Sequence, residues 1–425
     1  MAPMTSSPGP AARPLLNRRL AEFGTTIFAE MSALAARTGA INLGQGFPDT
    51  DGPESVREAA VRALRDGRGN QYPPGDGVPE LRTAIAAHQA DRYGLAYDPG
   101  TEVLVTTGAT EAIAASLLAL VEPGDEVVAL EPYYDSYAAS IALAGGTRVP
   151  VTLRPRDGRF RLDLDELRAA VTPRTRLLLI NTPHNPTGTV LTRDELTEIA
   201  RLAVERDLLV LTDEVYEHLV FAEPAGSADG GEGADGGEGA DGGEGADAGR
   251  HVPLATLPGM RERTLTISSA GKTFSFTGWK VGWVTGPPPL VAAVRSAKQF
   301  LTYVSGGPFQ YAVAEALSLP RAYFDGLRTE LRAKRDLLAR GLTEAGFEVY
   351  LPAGTYFITT DVRPLGERDG FAFCRALPER AGVVAIPNAV FYDDREAGAP
   401  FVRFAFCKRE EVLREAVHRL KRLTA

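Results

Sequence analysis

The 425-residue chain has only two cysteines, Cys374 and Cys407, and they show no pairing pattern. That excludes a disulfide framework and a thiolate metal cluster, and it suits a reducing compartment. The five histidines (His88, His184, His218, His251 and His418) are scattered, with no two at metal-ligand spacing along the chain, so no metal is expected. No apolar run approaches a membrane span, and the opening MAPMTSSPGPAARP lacks the apolar core of a signal peptide. Positive charge is also short: 46 Lys and Arg face 55 Asp and Glu, for a net charge of −9. A nucleic-acid surface needs a basic face, so that partner class is excluded. The negative balance is itself local. Asp229, Glu232, Asp235, Glu238, Asp241, Glu244 and Asp247 lie in one stretch with no base between Gly226 and Gly249, and the remainder is close to neutral. The expectation is a soluble, cytoplasmic protein with a flexible start over residues 1–20.

Short apolar runs alternate with helical patterns through the centre of the chain, which indicates an α/β sheet flanked by helices. Strands are expected at 103–107, 126–130, 177–181, 208–212, 264–268 and 281–285. Thr192 and Glu195 make a capping box ahead of an amphipathic helix. Beyond about residue 300 longer helices precede strands near 354–361 and 401–406. The reading is a large domain over 52–300 and a smaller α+β domain over 301–425, joined by the segment 21–51. GGEGAD occurs three times in tandem from Gly230 to Asp247. Such glycine and acid content buries too little apolar area to offset ordering entropy, so 226–249 is expected to be a disordered loop.

The chemistry concentrates at strand ends. Ser268-Ser269-Ala270-Gly271-Lys272-Thr273 follows one strand. It is no P-loop, because Thr266 stands where the first glycine must be. Likewise Gly44-x-Gly46 lacks the third glycine of a dinucleotide fingerprint, since Asp49 occupies that place. A lysine that bonds a cofactor aldehyde explains the run better, with Ser269 and Lys280 as a hydroxyl and a cation for the cofactor phosphate. A lone lysine after a strand is ordinarily a surface lysine, so its companions carry the case. Asp213, directly after the expected strand 208–212, can pair with a protonated pyridine nitrogen, and Tyr216 can reach the phenolic oxygen. The plain alternative for Asp213 is a helix N-cap. Asn185, fixed between prolines in Thr182-Pro183-His184-Asn185-Pro186, can donate to the same oxygen. Gly108, Ala109 and Thr110 open a helix whose N–H groups and dipole suit a phosphate.

Together these residues resemble the fold-type-I, class I aminotransferases that use pyridoxal 5'-phosphate, in the branch of kynurenine/glutamine transaminases and actinobacterial N-succinyldiaminopimelate aminotransferases. The segments that carry the resemblance are NLGQGFPD (42–49), NQYPPG (70–75), GATEA (108–112), EPYYDSY (131–137), NTPHNPTG (181–188), TDEVYEHL (212–219), SSAGKTFSFTGWKVGW (268–283), GTYF (354–357) and VRFAFCK (402–408). The likeness implies an α/β fold with a mixed, mostly parallel sheet and a smaller α+β domain. It implies that Tyr134 stacks on the pyridine ring and that Arg403 grips the substrate carboxylate, with Asn185 and the Gly46 backbone. It implies a homodimer in which Tyr72 reaches the neighbour's phosphate and Tyr303 lines the neighbour's substrate pocket. Lys280 stands where aspartate transaminases carry arginine, a departure that fits the kynurenine-type branch. The implied reaction is ping-pong transfer of an amino group from an amino acid to a 2-oxo acid, with Lys272 moving the proton. The expected donor is N-succinyl-LL-2,6-diaminopimelate and the acceptor 2-oxoglutarate. The alternative is a kynurenine, glutamine or methionine transaminase with cysteine-S-conjugate β-lyase side activity. An effector domain of a transcription regulator is disfavoured, because only about twenty residues precede the resemblance.

Overall fold

The computed structural model describes residues 16–24, 26–221 and 249–424. The GGEGAD repeats and the first fifteen residues lie outside the described residues. Seven strands form the main sheet, in the order Val103–Thr107, Val281–Thr285, Thr264–Ser269, Leu209–Asp213, Thr175–Asn181, Glu126–Glu131, Thr147–Thr152. All run the same way except Val281–Thr285, which is antiparallel to both neighbours. The central strands are β-branched and leucine-rich and buried on both faces, as a sheet covered by helices on either side requires. The expected strands lie within a residue or two of these bounds, and the Thr192 capping box is present. The edge strand Thr147–Thr152 was not expected. Its half-exposed residues and internal Pro150 break the apolar run that marks the others, which an edge position tolerates.

This topology sets where chemistry can occur. Register pairs Asn181 with Asp213, and Asp213 with Ile267 two residues before Ser269. The carboxyl ends of these strands, and of Val103–Thr107, therefore share one edge, where open α/β sheets place ligands. The reversed strand begins at that edge, since Val281 pairs with Thr107. Lys280, immediately before it, is brought to the same place.

A second, four-stranded antiparallel sheet contains Glu348–Tyr350, Phe357–Asp361, Phe401–Ala405 and Ile386–Pro387. Ile41–Asn42 pairs in parallel with Val383–Val384, and the Leu43 carbonyl accepts from the Ala405 N–H. The boundary expected at residue 300 needs correction. The helix Gly307–Leu317 buries Ala312, Val313 and Ala316 against Val56, Ala60, Leu81 and Trp283, in the core beside the main sheet. The long helix Arg321–Glu344 then spans both parts: Phe324 belongs to that core, while Leu331, Leu338 and Leu342 pack with the C-terminal strands. Within the segment 1–20 expected to be flexible, the described end is ordered: Arg18–Leu20 form a 3-10 turn and the Arg19 guanidinium donates to the Leu143 carbonyl at 2.8 Å, while residues 1–15 lie outside the described residues. Among the described residues no helix is long and apolar enough to cross a membrane.

Candidate active site

A cavity of about 310 Å³ opens at the shared strand edge. Its lining includes Gly46, Ala109, Thr110, Tyr134, Asn185, Asp213, Tyr216, Ser269, Lys272, Lys280 and Arg403. Eleven of the thirteen residues singled out above thus meet in one place. Tyr72 and Tyr303 do not: they stand on the surface, 85% and 48% exposed, with ring centroids 6.0 Å apart in a T-shaped contact.

At one end the chain forms a cradle for an anion. The helix Gly108–Leu120 starts at the strand edge, and its first residues, Gly108, Ala109 and Thr110, line the cavity, so the N-terminal end of its dipole meets it. Gly108 has φ +70°, and a side chain there would press on the Lys280 ammonium at 3.2 Å. Gly282 lets the helix start close in, because an added Cβ would lie 2.5 Å from the Gly108 carbonyl carbon. Lys280 has φ 53°, a left-handed conformation costing roughly 1–2 kcal/mol in a non-glycine residue. Its ammonium donates to the Thr110 hydroxyl at 3.4 Å.

Lys272 lies on the short helix Ala270–Thr273, with its amine 6.0 Å from the Tyr216 ring centre and 5.8 Å from that of Tyr356. Burial lowers the pKa of this amine, and the cations Lys280 and Arg403 push the same way, while Cys407 and Asp213 oppose them. Asp213 is buried, and desolvation raises its pKa against the pull of its hydrogen bonds. Those bonds fix it in place: the Tyr137 hydroxyl donates at 2.6 Å and the Val215 N–H at 3.3 Å.

At the other end Arg403 is 1% exposed. Its guanidinium donates to Asn185 Oδ1 at 2.9 Å and to the Gly44 carbonyl at 3.0 Å, and stacks over Phe357 at 4.0 Å. Its Nε is buried without a partner among the described residues. Burial brings its pKa down to about 10, so it stays charged at neutral pH. Asn181 holds the Asn185 N–H through its own side-chain oxygen at 2.8 Å, while its amide donates to the Asp213 carbonyl at 2.8 Å.

Sequence reading missed Tyr137 and Asn181. Tyr137 stood in the quoted EPYYDSY segment, one helical turn after Tyr134, and that spacing was the available signal. Asn181 was read only as the end of its strand, and its role depends on register with Asp213. The set is chemically coherent: a helix start beside an ammonium, a depressed amine, a buried carboxylate and a buried guanidinium, with the Tyr134 ring lining the same cavity.

The family model for aminotransferases of class I and II matches residues 38–420. A protein of Mycobacterium tuberculosis, named probable N-succinyldiaminopimelate aminotransferase DapC, is 55% identical over 95% of this chain and 97% of its own. The solved structure of N-succinyldiaminopimelate aminotransferase from that organism matches with a TM-score of 0.88, covering 96% of this chain and all of the other. The methionine aminotransferase of Escherichia coli is 38% identical over 95% and 97% of the two chains, and its structure gives a TM-score of 0.86. A kynurenine–oxoglutarate transaminase of Dictyostelium discoideum is 35% identical over 96% of each chain.

Proposed function

This chain belongs to the class I and II aminotransferases, and from that premise we propose that it moves the amino group of N-succinyl-LL-2,6-diaminopimelate to 2-oxoglutarate. The observation that carries this donor is the 55% identity over nearly the full length of both chains to the M. tuberculosis protein of that name.

The cavity's donor set fits pyridoxal 5'-phosphate: a helix start whose opening glycine has φ +70° and lies so close to Lys280 that a Cβ would come within 3.2 Å of its ammonium, and a buried carboxylate and a flat aromatic lining the same cavity. Lys272 would hold the aldehyde, with Ser269, Lys280, Ala109 and Thr110 on the phosphate, Tyr134 on the ring face, and Asn185 and Tyr216 at the phenolic oxygen. When bound, the cofactor supplies an aldehyde that takes up the amino group and a ring that stores the electron pair left at Cα. Asp213, aimed by Tyr137, would keep the ring nitrogen protonated. Lys272, freed when the substrate amine takes its place and made less basic by burial, would take the proton from substrate Cα and deliver it to the carbon that had been the cofactor aldehyde, across the intervening nitrogen. Arg403 binds the α-carboxylate, with Asn185 and the Gly46 backbone. Because its side chain is bonded and stacked before any substrate arrives, little orientation remains to be fixed on binding.

A second reading, a kynurenine, glutamine or methionine transaminase with β-lyase side activity, draws support from the cavity itself. Among the described residues of one chain the cations lining it are Lys272, Lys280 and Arg403, and each already has a task, so none of these three is left for a distal acidic group. The test is kcat/KM for the succinylated donor against kynurenine, glutamine and methionine, each with 2-oxoglutarate. The succinylated donor should lead by tenfold or more. A lead of that size for kynurenine, glutamine or methionine overturns the donor assignment and leaves the catalytic residues as they are.

The exposed Tyr72 and Tyr303 belong to the same proposal, as arms that complete a partner subunit's site in a homodimer. Inactive Lys272→Ala subunits mixed with Tyr72→Ala subunits silenced in their own homodimer should regain activity, since one site of each heterodimer carries neither lesion. No recovery after verified subunit exchange would mean that the sites are not shared.

A further inference from the structure

Behind the strand edge the fold assembles a second group of ligand-type side chains. His88 lies on the helix Pro79–Tyr93 and His218 in the turn after Tyr216, and their Nε2 atoms approach to 3.1 Å although 130 residues separate them. Glu217 joins them: each of the three offers one nitrogen or oxygen, and these atoms all lie within 4.8 Å of one another. His88 and Glu217 are buried and His218 is half-buried.

The carboxylate is the informative member. Its Oε1 accepts from the Ser268 hydroxyl at 2.6 Å. Its Oε2 is buried and has no hydrogen-bond partner among the described residues, although the Tyr93 hydroxyl lies beside the group. A buried carboxylate oxygen met only by the neutral Tyr93 hydroxyl, outside good hydrogen-bond geometry, keeps room for a cation. The neighbouring base does not fill that role, because Arg92 stacks over Phe324 at 4.3 Å and pairs with Asp91 at 3.6 Å. Phe324 closes the other side, its ring centre 4.6 Å from that of His218 and 5.7 Å from that of His88.

The two Nε2 atoms share a hydrogen bond at 3.1 Å, a spacing that an ion could take over. Zinc–imidazole bonds of about 2.0–2.1 Å put two nitrogens of a tetrahedral ion about 3.3–3.4 Å apart, close to the spacing here. Two nitrogens with one oxygen suit a borderline ion of the zinc type, whereas calcium and magnesium want oxygen alone. A cavity of about 190 Å³ opens beside Glu217 and His218; Tyr93, His251 and Asp325 line it together with Arg92, Arg250, Arg321 and Arg328, so an ion entering there passes a cationic rim before it reaches the carboxylate.

We propose that His88, His218 and Glu217 bind one divalent zinc-type ion, with a fourth position left to solvent or the Tyr93 hydroxyl. Such an ion pins the helix Pro79–Tyr93 to the turn that follows Asp213 and Tyr216, and the assignment is independent of which amino donor the enzyme uses. The test uses the untagged full-length enzyme with its cofactor, stripped with a chelator and titrated with Co²⁺ alone. One ion per chain should bind and give the visible bands of a four-coordinate nitrogen–oxygen site, and Zn²⁺ should displace it. Glu217→Gln, which keeps the shape, should weaken binding at least tenfold, and His218→Asn at least a hundredfold, with circular dichroism reporting the fold. If His218→Asn misfolds, Glu217→Gln alone decides. No stoichiometric uptake by the wild type, or uptake unchanged in a folded variant, overturns the site.

Discussion

The two ends of the cavity are built differently. At the Arg403 end the guanidinium is buried, bonded to Asn185 and Gly44, and packed against Phe357, Phe391 and Phe28 at 4.0, 5.2 and 5.3 Å. At the Lys280 end an exposed ammonium makes one long bond, to Thr110. In the proposed function the first end meets a new substrate at every turnover, and the second holds a cofactor phosphate that stays. A site that exchanges ligands gains from geometry fixed in advance, because ordering on binding subtracts from affinity each time. A site filled once can let the anion itself complete the order. In that function the ligand that changes meets a side chain already bonded on several sides, and the ligand that stays meets one with a single long bond.

The largest expected effect lies between the two ends. Lys272→Ala should abolish turnover and remove the borohydride-reducible bond between chain and cofactor; a mutant that still forms that bond at normal stoichiometry sinks the assignment. Next comes the rigid end. Arg403→Ala should lower kcat/KM for every α-amino acid donor alike, by about 2–5 kcal/mol or roughly 30- to 5,000-fold, while cofactor retention stays put. The loose end should respond least and in another observable. Lys280→Ala should weaken cofactor affinity by about 1.5–3 kcal/mol, roughly ten- to hundredfold, and leave the ranking of donors unchanged. Should Lys280→Ala raise donor KM as much as Arg403→Ala does, the contrast between the ends collapses.

Much of this was legible in the sequence because it is local. The main strands are apolar, β-branched runs, and the residues that end them are the ones brought together at the strand edge. What was not legible depends on register or on partners remote in the chain. Tyr137 bonds Asp213 across 76 residues and Asn181 bonds it across 32, and no local pattern encodes either distance. The helix Gly307–Leu317 shows an apolar face but not which core will receive it, so its assignment to the smaller domain failed. His88 and His218 showed no metal-ligand spacing because helix packing brings them together, not sequence proximity. Tyr72 and Tyr303 were named through resemblance alone, since two exposed tyrosines carry no mark of what they touch.

The ladder between Ile41–Asn42 and Val383–Val384, and the bond from Arg403 to Gly44, also fix an order of events in time. A ribosome adds about 5–20 residues per second, so the 359 residues from Gly44 to Arg403 take roughly 20–70 s to appear. During that interval Leu43, and the face of the helix Ile27–Thr38 that ends up buried through Ile27, Met31 and Ala35, have been made but lack their C-terminal partners. The residues around Lys272 and Asp213 emerge well before Arg403, to which the proposed function gives the substrate carboxylate. In that function, substrate recognition follows the amine and the acid in time, and a chain released early carries both without the means to choose what they act on.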